Sequence, residues 1–274
     1  MDVFNAITSL YQAGIMHGIM PGHQRALPFV IAAGPRSGST LLQTLLHSHR
    51  NAICMHELLV KSGGTPRFYR YNLGRREQFI RTREQDMAAF LDAVLLDPQP
   101  PWIKAVGFKA MYVHPRDEGE RRATWEMLGQ IPDLRVIWLR RNPVRRVISF
   151  AIARETGKWV GEKTTDAIHL NPEYLSRRLD FEEQEAEAAR ERVENCNTID
   201  VQFESLTETP DALLTKIQSF LGLPHRPLHS SLTSQNPRTL QEMVANFSEV
   251  KDALAGTKWE ESLVEAMGRH PQEL

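Results

Sequence analysis

Much that would define a specialised protein is missing from this chain. Its 274 residues hold two cysteines, Cys54 and Cys196, far apart and in no metal-ligand spacing. That argues against a disulfide framework and points to a reducing compartment. Lys and Arg number 33 against 34 Asp and Glu, for a formal net charge of −1, so no general affinity for nucleic acid or another polyanion is expected. No apolar run reaches the roughly 18 residues of a membrane span. Residues 1–20 are rich in apolar side chains, but no Lys or Arg precedes them, as the positive start of a secretory signal requires. The expectation is a soluble, cytoplasmic protein with no membrane span. No internal repeat, low-complexity tract or interdomain linker is visible, and the length suits a single domain over 1–274.

What is present centres on Phe29-Val-Ile-Ala-Ala-Gly-Pro-Arg-Ser-Gly-Ser-Thr-Leu-Leu42. The apolar run to Ala33 predicts a buried parallel strand. Gly34, Pro35 and Gly38 break it, Ser37 or Ser39 is suited to cap, and Leu41-Leu42-Gln-Thr-Leu45-Leu46 predicts a helix. Strand, glycine loop and helix together make a phosphate cradle, because backbone N–H groups and the helix dipole converge on an anion there. Arg36 adds a full charge, and Ser37, Ser39 and Thr40 add hydroxyls. The loop is not the G-x-x-x-x-G-K-[ST] loop that binds magnesium triphosphates: its glycines are one residue too close, and Ser39 stands where Lys belongs. An ordinary strand-to-helix turn is the plain alternative.

In chain order, residues 2–20 predict an amphipathic helix from the spacing of Val3, Phe4, Ile7, Leu10, Tyr11, Ile15 and Ile19. It is expected to pack on the chain's own core, with a homodimer contact or a lid over the site as the alternatives. Ala52–Met55 predicts a short strand with His56 and Glu57 at its carboxyl end, where open α/β sheets bind ligands. Residues 61–84 read as a basic, loop-like, variable insert, either solvated or acceptor-binding. A helix is expected over 86–96 and a strand over 103–112, with Lys109 inside an apolar run. Such a Lys is costly unless it meets an anion or lines a cleft. Helices are expected over 122–128, 172–194 and 210–221, and strands over 134–139 and 197–203. The strand at 134–139 leads into Arg141-Asn-Pro143 and a helix carrying Ser149 two turns along, so an Arg fork and a hydroxyl can hold a second phosphate. Arg145 and Arg146 are expected to be solvated. Strands alternating with helices predict an α/β fold.

Taken together, Gly34-Pro-Arg-Ser-Gly-Ser-Thr40 and Arg141-Asn-Pro-Val-Arg-Arg-Val-Ile-Ser149 resemble the 5′-phosphosulfate loop and the 3′-phosphate motif of sulfotransferases. Those enzymes use 3′-phosphoadenosine 5′-phosphosulfate (PAPS) and release adenosine 3′,5′-bisphosphate (PAP). His56-Glu57-Leu-Leu, Val106-Gly-Phe-Lys109, Gly157-Lys-Trp159 and the tail from Gln235-Asn236 to Asn246-Phe247 are similar to the bacterial nodulation-factor and glycolipid branch. The resemblance spans roughly residues 27–258. It implies a P-loop-like three-layer fold, a central parallel β-sheet flanked by helices, and a C-terminal covering segment over 235–258. It implies in-line transfer of a sulfuryl group from PAPS to a hydroxyl of a carbohydrate or glycolipid, without metal. Gly38, Ser39 and Thr40 would cradle the 5′-phosphosulfate with Ser37, and Arg36 would neutralise the leaving phosphate. Arg141 and Ser149 would read the 3′-phosphate, with Arg238 as the candidate C-terminal contact. Glu57 is the implied base, His56 its competitor, and Lys109 an aid to the transferring group. The alternatives are a small-molecule acceptor sulfated on oxygen or nitrogen, a P-loop kinase, and a non-catalytic nucleotide-binding protein.

Overall fold

The computed structural model describes residues 3–23, 26–60, 76–159, 167–232 and 238–268. The apolar runs form five strands: β1 (Leu27–Ala33), β2 (Ala52–Glu57), β3 (Ala105–Met111), β4 (Arg135–Arg140) and β5 (Asn197–Gln202). All pair in parallel, in the order β2-β3-β1-β4-β5. Every residue of β3 is buried, as expected of a strand covered on both faces. Edge strand β5 instead alternates, burying Ile199 and Val201 and exposing their neighbours.

Helix α1 (Val3–Met16) precedes the sheet, and α2 (Ser39–Ser48) joins β1 to β2. Helices α3 (Arg76–Gln85) and α4 (Met87–Leu95) lie between β2 and β3 in the chain, and α5 (Glu118–Gly129) between β3 and β4. Helices α6 (Pro143–Thr156) and α7 (Pro172–Arg192) separate β4 from β5. After β5 come α8 (Phe203–Glu208), α9 (Pro210–Phe220), α10 (Leu240–Met243), α11 (Phe247–Leu254) and α12 (Glu260–Gly268). Side-chain caps set several starts. Asp86, Asp117, Asn142 and Asn171 each accept the backbone N–H three residues on, each cap contributing about 1 kcal/mol. The Asp117 cap starts α5 four residues before the expected Arg122.

The chain leaves β1 for β2 on one side and later crosses to β4 on the other. A crevice therefore opens at the carboxyl ends of the central strands, where this topology binds ligands. Two apolar clusters hold its walls. One encloses the sheet. The other joins α6 and α7 to α10, α11 and α12 through Ile148, Leu175, Leu179, Met243, Val250 and Trp259. The described part of the C-terminal segment, from 238 on, thus buttresses the helices that stand over the crevice.

Two expectations need correction. Helix α1 docks by only part of its apolar stripe: Ile7 and Leu10 are 50 % and 66 % exposed, and Ile19 lies outside the helix at 75 %, while Tyr11 and Met16 face the core. Its inner side mixes polar and apolar groups. Thr8 accepts from Trp102 Nε1 at 3.3 Å, Gln12 Nε2 donates to the Pro98 carbonyl at 3.1 Å, and Tyr11 meets Trp102 edge-on. Of the basic insert, 61–75 lie outside the described residues, while 76–84 belong to α3. Arg83 is buried there, donating to the carbonyls of Leu58 and Val60, which closes the chain ends that β2 leaves unpaired.

Candidate active site at the carboxyl edge of the sheet

The loop after β1 has tight backbone requirements. A Cβ on Gly34 would lie 2.2 Å from Tyr112 Oη and 2.3 Å from Arg146 Nη1. Gly38 has φ of 84°, and a Cβ there would meet the Phe203 ring at 2.1 Å. Gly38 itself caps α2, without a side-chain bond, so neither Ser37 nor Ser39 is the cap. Arg36 holds φ at 64°, a strained value for a side chain with a Cβ. Three contacts enforce it. Arg36 Nε donates to Ser149 Oγ at 3.2 Å, Nη1 donates to the Trp159 carbonyl, and the Arg36 carbonyl accepts from Arg141 Nη1 at 2.8 Å. Loop and second motif are thereby one unit.

Arg141 emerges just past β4, its guanidinium 4.4 Å from the Phe203 ring centroid. Burial and the neighbouring Arg145 press its pKa down to about 10, and Glu204 opposes this in part. The group stays charged at neutral pH, in a place where an anion would relieve it. Arg145 and Arg146 are buried too, contrary to expectation. Arg145 Nη2 donates to the Arg238 carbonyl at 2.8 Å, and Arg146 is ion-paired to the buried Glu182. Three buried donors here, Ser37 Oγ, Arg141 Nε and Arg145 Nη1, have no hydrogen-bond partner among the described residues. Buried polar atoms are rarely left this way unless a ligand or water completes them.

On the other side of β1, Lys109 in β3 answers the question its sequence context poses. It is 3 % exposed, and its Nζ donates at 3.0 Å to both Glu57 Oε1 and Thr40 Oγ1. The pairing of β2 with β3 explains why the partner is Glu57. Met55 stands opposite Phe108, then the register shifts, and Glu57 rather than His56 stands opposite Lys109. Such a bulge re-aims a side chain at the end of a strand. Glu57 consequently lines the cavity, and His56 does not.

The cavity measures 810 Å³. Arg36, Gly38, Ser39, Thr40, Glu57, Arg141 and Ser149 all line it. Ser37 and Lys109 stand behind that surface, and Arg238 lies away from it, donating to the Glu242 carbonyl at 3.2 Å. Most of the expected constellation is therefore brought to one place. The sulfotransferase family matches residues 28–227 of the chain. The chain belongs to this family.

This sulfotransferase is 27 % identical over 239 residues to nodulation protein H of Rhizobium tropici, covering 84 % of this chain and 90 % of that one. It is 26 % identical to nodulation protein H of Rhizobium meliloti strain 1021, over 82 % and 90 % of the two chains. Among solved structures, the sulfotransferase domain from the Synechococcus PCC 7002 olefin synthase aligns over 90 % of this chain and 95 % of its own, at 18 % identity and a TM-score of 0.49. No helix among the described residues is long and apolar enough to cross a membrane.

The sulfotransferase cavity also holds residues that sequence reasoning passed over. His114, three residues past β3, lines it with Nδ1 buried and without a hydrogen-bond partner among the described residues. Its pKa is lowered by burial, against the opposing pull of Glu57 and with help from Arg116, Arg178 and Arg121. Phe203, Tyr174 and Arg178 enter from α8 and α7, far from either motif. The one signal for His114 in the sequence was its position just after a predicted strand, at the edge that binds ligands.

Proposed function

We propose that this sulfotransferase moves a sulfuryl group from PAPS to a hydroxyl of a carbohydrate or glycolipid. The observation that carries the donor assignment is the union of the two motifs through Arg36, Ser149 and Arg141, with Ser37 Oγ, Arg141 Nε and Arg145 Nη1 buried and unsatisfied around it. A donor with phosphates at both 5′ and 3′ positions supplies acceptors for such groups. A donor of ordinary adenine nucleotide type supplies only the first. The residues fit the larger one. The glycine loop, Ser37, Ser39 and Thr40 would hold the 5′-phosphosulfate, and Arg141, Ser149 and Arg145 the 3′-phosphate. The resemblance to the nodulation-factor and glycolipid branch supports a sugar hydroxyl as acceptor.

In this reading the acceptor oxygen attacks sulfur as the bond from sulfur to the 5′-phosphate oxygen breaks. The acceptor proton passes to Glu57, and PAP leaves with the electron pair. Charge gathers on the leaving phosphate and on the sulfuryl oxygens, so fixed positive groups do most of the work. Arg36 would meet the leaving phosphate and Lys109 the transferring group. Lys109 also ties Glu57 to Thr40, so the base and the phosphate-loop helix share one anchor.

Calorimetry with PAP against Mg-ATP tests the donor. Binding of PAP without metal, at least about tenfold tighter than Mg-ATP, is the expected outcome, a difference of about 1.4 kcal/mol. Preference for Mg-ATP would overturn the assignment in favour of a kinase.

A further inference from the structure

The cavity carries more positive charge than the donor seats use. Among the described residues its lining has six arginines and a single acid, Glu57, which Lys109 already holds. The sheet order divides these arginines. The loop, Arg141 and Ser149 sit beyond β1 and β4. Met111 ends β3, His114 and Arg116 follow it, and Tyr174 and Arg178 reach in from α7. Helix α6 runs from one half to the other. It starts beyond β4, brings Ser149 to Arg36, and carries Arg154 five residues past Ser149, about 7 Å further along its axis. There Arg154 Nη1 donates to Tyr174 Oη at 3.4 Å.

Acids do not balance this second half. Arg121 is neutralised by a two-pronged pair with Glu185. Glu182, however, serves both Arg178 and Arg146. Arg116 and Arg154 have no ion pair among the described residues. Aromatic rings take the place of acids: Arg154 lies 5.9 Å from the Tyr174 centroid, and Arg178 lies 4.7 Å from Phe150 and 5.3 Å from Phe181. A ring face steadies a guanidinium and leaves its N–H edge free to donate. Like charges gathered without acids repel, and an anion is the natural complement.

We infer that the acceptor carries an acidic group besides the hydroxyl that is sulfated, and that Arg116 and Arg154 bind it with Arg178 beside them. The inference rests on the donor assignment above, which gives the other half of the cavity to PAPS. It narrows the acceptor to an acidic molecule and makes these arginines specificity residues.

Calorimetry on enzyme saturated with PAP tests it. Sodium sulfate and sodium acetate are titrated separately, in chloride buffer of matched ionic strength, into the wild type and into R116Q/R154Q. Both side chains are exposed, so the substitutions spare the core, and each single variant offers the same comparison if the double does not fold. At least one anion should bind the wild type, with its Kd about tenfold higher or more in the double variant, as loss of a charge-assisted bond predicts. PAP affinity should stay within about twofold. Tighter sulfate would indicate a phosphate or sulfate ester on the acceptor, and tighter acetate a carboxylate. The inference falls if neither anion binds the wild type, or if the variant binds them equally well. It also falls if the variant loses PAP affinity, which would move these arginines to the donor. Failure of the wild type to bind PAP is a separate result, and it removes the donor assignment and this inference together.

Discussion

On the proposed assignment, the donor half of the cavity is built from two contiguous motifs locked to one another, whereas the acceptor half draws its side chains one at a time from distant segments. Arg36, Arg141 and Ser149 bond directly to one another, and Gly34 and Gly38 leave no room for a side chain. Across β1, Glu57, Lys109 and His114 bring ionisable groups from β2, from β3 and from the segment after it. The contrast suggests a division of labour. A donor common to many enzymes can be held by a rigid, charge-constant cradle. An acceptor that differs between enzymes needs walls that change without disturbing that cradle.

The sharpest way to separate the halves is Glu57→Gln. Gln keeps an oxygen for Lys109 Nζ to donate to, so the buried ammonium is not stranded, but it cannot take a proton. Turnover should fall by about 10²–10⁴-fold, the usual worth of a general base. PAP affinity, read by calorimetry, should change by no more than about threefold. Retained turnover would move the base to another group and erase the chemical distinction between the halves.

Arg141→Ala strikes the opposite half. It removes a buried cation, its contact with Phe203 and its bond to the Arg36 carbonyl. PAP binding should weaken by about 2–3 kcal/mol, roughly 30- to 150-fold. Adenosine 5′-monophosphate, which lacks the 3′-phosphate, should lose less, through the slackened loop alone. Equal losses for the two nucleotides would mean that Arg141 only shapes the loop.

The same contrast decides what was legible beforehand. The parallel sheet and the two motifs that meet around Arg36 could be read from the chain because their residues are contiguous. Apolar runs end at Gly34 and at Arg141, and spacing within one loop or helix fixes the rest. Lys109 was legible as an anomaly, a charge in an apolar strand, though nothing in the chain said which anion it meets. That answer lies in the β2–β3 register, where a shift of one residue turns Glu57 rather than His56 toward it. Arg145 and Arg146 were misjudged for a related reason. Their partners, the Arg238 carbonyl and Glu182, are 93 and 36 residues away, and sequence spacing carries no trace of them. Helix α1 followed its apolar stripe only in part, since Thr8 and Gln12 share its contacts with Tyr11 and leave Ile7 and Leu10 exposed.

The smallest expected effect is the one most specific to the acceptor half. His114 is pressed toward its neutral form by burial, which outweighs the pull of Glu57, and Arg116, Arg178 and Arg121 push the same way. Its pKa in the fold therefore lies below the unfolded value near 6.5. Between the two values the unfolded chain binds more proton than the folded one, so stability rises with pH. The contribution is complete above about 6.5 and is lost as pH falls from there toward the folded pKa, at a slope no steeper than about 1.4 kcal/mol per pH unit. His114→Gln should flatten this part of the stability profile, measured by urea unfolding at a series of pH values. PAP affinity should follow the same pH course in wild type and variant, because the phosphates of PAP titrate there and the arginines that would bind it do not. An unchanged stability slope in the variant would assign the pH dependence to another group. A PAP affinity whose pH course changes in His114→Gln would show the two halves to be electrostatically one.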